Sequence, residues 1–146
     1  MEGSLYRQCI ADEALNWLGT PYRHQSSLCQ VGTDCLGLVR GVYRKLVGPE
    51  PVNVPAYLPY ADHNEGELLW RASLSALAPA GAKLEVGNVL LFRMRSGQPA
   101  RHLAIAVRDT EMVHAVSGRM VARIHIHPWW QRHCVARFDF PGVENE

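Results

Sequence analysis

The stretch Asp34-Cys35-Leu36-Gly37-Leu38-Val39-Arg40-Gly41-Val42-Tyr43-Arg44-Lys45-Leu46-Val47-Gly48-Pro49 sets the frame for the whole chain. Leu36, Val39, Tyr43 and Leu46 recur at helical spacing, and Leu38 and Val42 broaden the same face. Gly48-Pro49 stops the pattern, since proline cannot continue a helix. The spacing therefore predicts an amphipathic helix that begins at about Asp34-Cys35 and carries a cysteine in its first turn. Free N–H groups and the macrodipole place roughly half a positive charge at such an end. That field favours a thiolate, the nucleophilic form of cysteine. A free cysteine is as often a small buried hydrophobe, so position alone leaves both readings open.

Upstream, Ser4 suits an N-cap, and Tyr6, Ile10, Ala14 and Trp17 or Leu18 follow at helical spacing, with Cys9 expected in the core. Gly19-Thr20-Pro21 ends this helix, and residues 21–34 read as a polar loop. Downstream, Pro49, Pro51, Pro55 and Pro59 with Tyr57 and Tyr60 make residues 49–61 a long extended loop, suited to walling a cleft or to contacting a partner. A third helix is predicted over about 65–78, with Leu68, Leu69, Ala72, Ala76 and Leu77 inward, broken by Pro79-Ala80-Gly81. From residue 86 the pattern becomes β: runs at 89–92, 102–107, 111–116, 120–126 and 135–140, separated by short turns. Helices followed by a meander of strands predict an α+β fold, with N-terminal helices packed on a mostly antiparallel sheet in a single domain over 1–146.

Composition narrows the function. The 146 residues carry a formal charge of +1, with 47% hydrophobic and 20% charged residues. This balance suits a globular domain and gives no electrostatic reason to expect a nucleic-acid partner. Apolar runs fall far short of the ~20 residues of a membrane span. The opening Met1-Glu2-Gly3-Ser4-Leu5-Tyr6-Arg7 lacks the basic and apolar regions of a signal peptide, so synthesis in the cytoplasm is expected. Cys9, Cys29, Cys35 and Cys134 contain no C-x-x-C pair, which argues against a structural zinc site.

A nucleophilic thiol needs a base, and the base an orienting partner. Among seven histidines, His102 opens one predicted strand and His114 lies on the next. A hairpin turning at Asp109-Thr110 pairs residues whose numbers sum to about 219. His102 then lies about opposite residue 117 and His114 about opposite 105, an offset of roughly three positions. Each histidine alone reads as a satisfied, half-buried side chain. Together with Cys35 they match the Cys–His–polar arrangement of papain-like folds, in which a helix-borne cysteine faces histidines on a sheet.

Trp17-Leu18-Gly19-Thr20-Pro21-Tyr22-Arg23-His24-Gln25 and Gly32-Thr33-Asp34-Cys35-Leu36-Gly37-Leu38-Val39-Arg40 resemble the signature of NlpC-type cell-wall cysteine peptidases. More narrowly, they resemble the branch found in tailed phages and gene-transfer-agent particles. The blocks Glu85–Phe92, Arg101–Ile105 and Met112–Ala115 extend the likeness over about residues 5–140. The resemblance implies a papain-like α+β fold and hydrolysis of peptidoglycan stem peptides, typically at the bond from D-γ-glutamate to a diamino acid. It implies Cys35 as nucleophile, His102 as general base and His114 as its orienting partner. Tyr22 and the Cys35 N–H match the oxyanion donors, and Asp34 the residue that binds the free amine of a stem peptide. No metal or cofactor is implied. The expected partners are peptidoglycan stem peptides and phage tail hub or baseplate proteins, with the protein carried on the particle and acting in the periplasm of the target cell. Leu36 stands where many members carry Ser, Asn88 where Asp is usual, and Ala104 where Gly is usual.

Other readings remain beside this one. The domain is alternatively a structural tail-tip component, favoured if Trp129 and Trp130 are exposed, or a different acyl transferase on the same fold. A lipid substrate is disfavoured because no membrane-binding stretch is present. His125 and His127 alternate on one strand face, and with His133 and Cys134 they offer a weaker metal-site reading. Cys29, six residues before Cys35, offers a regulatory disulfide with it.

Overall fold

A computed structural model describes residues 5–57 and 66–144. Ser4, Pro59, Tyr60 and the first residue of the predicted third helix lie outside them. The chain runs β1 (Leu5–Tyr6), α1 (Arg7–Leu15), β2 (Ser27–Leu28), β3 (Gly32–Thr33), α2 (Cys35–Leu46), α3 (Leu68–Ala76) and β4 (Ala78–Pro79). It continues through β5 (Val89–Phe92), β6 (His102–Arg108), β7 (Glu111–His114), β8 (Ala122–His125), α4 (Pro128–His133), β9 (Cys134–Asp139) and β10 (Val143–Glu144). Six strands form one sheet in the order β4-β9-β5-β6-β7-β8, every pairing antiparallel. The predicted α+β architecture of N-terminal helices on an antiparallel sheet is therefore the one observed. Among the described residues no helix is long and apolar enough to cross a membrane.

The sheet alternates, as strands must. Val89, Leu91, Leu103, Ile105 and Val113 join Ile10, Ala14, Leu38 and Val42 in the main core beneath α1 and α2. Leu90, Phe92, Ala104, Ala106 and Met112 form a smaller core on the other face, with Ile126 and Trp130. Two glycines let α2 seat closely. A Cβ on Gly41 would meet the Trp17 indole, and one on Gly37 would meet the Ser26 carbonyl and the Thr33 hydroxyl. The 26–33 loop thus rests directly against the first turn of α2.

Several local readings need correction. The helix around Ile10 ends at Leu15, and residues 16–19 form turns. Its buried residues are Ile10, Ala11 and Ala14, which leaves Cys9 exposed rather than in the core. The 21–34 loop contains the small hairpin of β2 and β3. Trp129 and Trp130 lie on α4, not in a turn. The β6–β7 register pairs Ala104 with His114, Ile105 with Val113 and Ala106 with Met112, and then shifts to Arg108 with Glu111. An irregularity at Val107 absorbs one residue, so the pair sum is 218 along the body of the hairpin rather than 219. His114 accordingly lies opposite Ala104, two positions from His102 and in phase with it. An offset of three would have put the two imidazoles on opposite faces of the sheet.

Candidate active site

Cys35 is the first residue of α2 and is half-buried. Its thiol points to the carbonyl of Arg101, at 3.7 Å, just before β6 begins. The start of the helix thereby meets the start of the strand that carries His102. Cys35, Tyr22, Asp34 and His102 line one cleft of about 480 Å³, and Trp129 and Trp130 line it too.

The histidines meet directly. His102 Nε2 lies 2.8 Å from His114 Nδ1, and both side chains are buried. Burial pushes His102 down to about 3, with the neighbouring His114 and Arg101 acting in the same direction. Burial alone pushes His114 down to about 4. Both rings are therefore neutral at pH 7. For His102 to accept a proton at its remaining nitrogen, Nδ1, its Nε2 must carry hydrogen and donate to His114.

The thiol is also neutral at rest, contrary to the helix-terminus expectation. Burial pushes Cys35 up to about 11, and the Asp34 carboxylate adds to the rise. Backbone N–H groups of Leu103 and Leu36 and the Arg101 guanidinium oppose it without winning. Beside burial, a second reason lies in the cap. Asp34 Oδ1 accepts the Gly37 N–H at 2.7 Å, so a carboxylate already occupies the positive end of α2.

Asp34 is 2% exposed. Its Oδ2 accepts the Gln25 N–H at 2.7 Å and the Tyr57 hydroxyl. His24 Nδ1 stands 3.9 Å from the same oxygen, while His24 Nε2 donates to the Tyr57 carbonyl at 2.6 Å. The carboxylate thus ties the helix cap, the 21–34 loop and the proline-rich segment together. Through Tyr57 that segment does wall the cleft, as predicted. Tyr22 is half-buried beside Cys35, and burial, then Cys35 and Asp34, push its hydroxyl up to about 12. It remains a hydrogen-bond donor across the whole working range of pH.

Two further neighbours of the site escape a reading of motifs. Arg101 lines the cleft, and its charge acts on Cys35, His102 and Tyr22. Trp130 packs on both histidines, with ring centroids 5.5 Å from His102 and 5.4 Å from His114. The adjacency of Arg101 to His102 was a usable signal. The tryptophan had none, because no periodicity links α4 to β6.

The other cysteine and histidine candidates do not converge on the cleft. Cys29 is exposed and bonds the Asn16 carbonyl at 3.4 Å, away from Cys35, and both thiols are free. His125 and His127 share an exposed face with rings 4.7 Å apart, but His133 stacks on Trp129 and Cys134 turns to the Ala136 carbonyl. Among the described residues no group of three such side chains is arranged to hold a metal. Trp129 is 42% exposed, whereas Trp130 is half-buried against the histidines, so of the two only Trp129 offers the exposed indole that favours a docking role.

A helix-borne thiol, a paired histidine on an antiparallel sheet and a phenol in one cleft belong to the papain-like class of architecture. The chain belongs to the NlpC/P60 family, which its residues 19–138 match. It is 29% identical over 125 residues to the Escherichia coli murein DD-endopeptidase MepS/murein LD-carboxypeptidase, covering 84% of this chain and 57% of that protein. The chain therefore spans little more than half the length of that relative. It is 24% identical over 124 residues to the probable endopeptidase NlpC of Escherichia coli, covering 84% of this chain and 71% of that one. Among solved structures, the NlpC/p60 domain of the peptidoglycan hydrolase SagA superposes with a TM-score of 0.65 at 20% identity, covering 93% of this chain and all of that one. An NlpC/P60 family protein from Bacillus cereus gives 0.62 at 21% identity, over 89% of this chain and 40% of that one.

Proposed function

We propose that this chain is a cysteine endopeptidase of bacterial peptidoglycan. The observation that carries the reading is the 2.8 Å His102–His114 contact in the cleft that holds Cys35. Murein activity in the names of the relatives supports the substrate class.

In this reading, His102 Nδ1 takes the Cys35 proton as the sulfur attacks a stem-peptide carbonyl. His102 becomes an imidazolium and still donates through Nε2 to His114. The oxyanion meets the Cys35 backbone N–H, at a helix position that lacks an intrahelical acceptor, and the Tyr22 hydroxyl. The imidazolium then protonates the leaving amine, and the C–N bond breaks to leave a thioester on Cys35. His102 next deprotonates a water, which attacks the thioester. The sulfur departs, and the carboxylic acid product leaves the regenerated thiol.

The finer parts rest on the motif resemblance. We place the scissile bond between D-γ-glutamate and the diamino acid, with Asp34 and its Tyr57 and His24 neighbours at the wall nearest the substrate amine. The same resemblance supports carriage on a phage tail or gene-transfer-agent particle, with tail hub or baseplate proteins as partners and action in the periplasm of the target cell. Purified peptidoglycan is incubated with wild type and Cys35→Ala, and released fragments are read by mass spectrometry. Stem fragments with a newly freed diaminopimelate amine are expected from wild type only. If neither protein releases fragments although iodoacetamide labels Cys35, the substrate assignment fails. If Cys35 is not labelled either, the structural tail-tip reading takes its place.

A further inference from the structure

We propose that Trp130 is a positioning residue for the acid–base pair, its indole holding His102 and His114 in register and receiving the positive charge that His102 acquires. The inference rests on the reading of His102 as general base. Four rings cluster on the outer face of the sheet. Trp130 contacts all three others: Phe92 at 5.0 Å, His114 at 5.4 Å and His102 at 5.5 Å between centroids. Its plane lies 34° from that of His102, nearer parallel than edge-on, and 85° from that of His114. The indole is thus tilted against the base, as Phe92 is at 5.9 Å and 37°, and stands nearly perpendicular to the orienting histidine.

The indole is itself held. α4 begins with Pro128, and the Gln131 side chain donates to the Ile126 carbonyl at 3.2 Å. The Arg93 N–H donates to the His133 carbonyl at 2.9 Å, which ties the end of the helix to the chain leaving β5. Trp129 stacks on His133 at 3.9 Å and meets Trp130 edge-on at 4.9 Å.

The need for this ring follows from the chemistry. In a cysteine–histidine–carboxylate site the third group supplies negative charge to the imidazolium. Here the third group is a neutral imidazole. Among the described residues, the titratable and charged groups around His102 are His114 from β7, Arg101 from its own strand entry and Cys35 from α2, while Phe92 from β5 and Trp130 from α4 carry no charge. Once the thiolate has been consumed in attack, His114 contributes a lone pair and Arg101 opposes the cation. The negative face of the indole is then the group suited to offset the charge. Such an attraction in a desolvated site corresponds to roughly a tenfold change in rate.

The test compares Trp130→Leu, which keeps the site apolar, with Trp130→Phe, which also keeps an aromatic face. Turnover of a soluble disaccharide stem peptide and alkylation of Cys35 by iodoacetamide are measured for both. Trp130→Leu is expected to lower kcat about tenfold with KM within about twofold, and Trp130→Phe to recover most of the loss. Cys35 alkylation follows the same order and needs no substrate. Equal rates in the two variants, whether high or low, overturn the proposal by making the indole a filler. If Trp130→Leu does not fold, graded fluorination of the tryptophans in the intact chain replaces it. The rate should fall stepwise with fluorine number, and the trend should vanish in Trp130→Phe; a flat series overturns the proposal. His102→Ala separates the underlying reading. If it leaves Cys35 alkylation and turnover at wild-type rates, the base assignment fails and the role of Trp130 fails with it. If His102→Ala is inactive and the Trp130 series is flat, only the present proposal fails.

Discussion

Asp34→Asn tests two consequences of one carboxylate, and they carry opposite signs. Asp34 accepts the Gly37 and Gln25 N–H groups, each at 2.7 Å, and the Tyr57 hydroxyl, all with the side chain 2% exposed. An asparagine keeps one oxygen, and its NH2 must face one of the former donors. Tyr57 can rotate its hydroxyl to accept, but a backbone N–H cannot. One N–H, that of Gly37 in a buried bond or that of Gln25 in a part-buried one, therefore loses its acceptor, at about 1–3 kcal/mol, and a charge-assisted cap becomes neutral, at about 1 kcal/mol more. The variant should lose roughly 2–4 kcal/mol of a total stability on the order of 5–15 kcal/mol. The same change removes the largest electrostatic cause, after burial, of the raised Cys35 thiol, so the thiol should ionise at lower pH. Urea denaturation at pH 7 reads the first effect and iodoacetamide labelling across pH 6–10 the second. Lower stability with faster labelling at neutral pH is the expected pair. Unchanged stability with unchanged labelling, and an effect on KM alone, would refute the capping account and leave Asp34 purely a substrate contact.

Gly37→Ala drives a Cβ into the Ser26 carbonyl and the Thr33 hydroxyl, and the first of these is backbone that cannot swing aside. Overpacking of about 1–3 kcal/mol should outweigh the helix-propensity gain of about 1 kcal/mol, so thermal denaturation should show net destabilisation, whereas a stabilised variant would mean that the 26–33 loop yields freely. The histidine pair makes stability depend on pH: His102 and His114 sit near 3 and 4 in the folded chain and near 6.5 unfolded, so their contribution is fully present above about 6.5 and is lost as pH falls through the folded values. Between pH 6.5 and 4.5 each should remove on the order of 1 kcal/mol per pH unit, and a flat urea-denaturation profile across that window would show that the imidazoles are hydrated in the native state.

The architecture was legible because its signals are periodic. Leu36, Val39, Tyr43 and Leu46 define α2 without reference to any other part of the chain, and the short apolar run at 89–92 is β5 to the residue. Cys9 was misread because helical spacing fixes which residues share a face, not which face turns inward. Ile10, with Ala11 and Ala14, decided that, and Cys9 lies off their arc. The hairpin register failed by one residue at Val107, since a strand irregularity leaves no compositional mark there. That single residue determines whether His102 and His114 can touch at all.

The thiol shows why a motif read in pieces misleads. A helix N-terminus lowers a cysteine pKa only while its N–H groups are free to act on the sulfur. In Asp-Cys the residue that starts the helix also brings a carboxylate to the same end, and that carboxylate takes the Gly37 N–H for itself. The two effects lie on adjacent residues and oppose each other, and burial tips the balance toward a neutral thiol. A neutral thiol and a neutral imidazole pair hold no ion pair between them at rest. Ion-pair formation must then coincide with attack on the substrate. On the proposed reading, the groups that matter most are those that stabilise charge only at that moment: Tyr22 for the oxyanion, and the ring system over His102 for the cation.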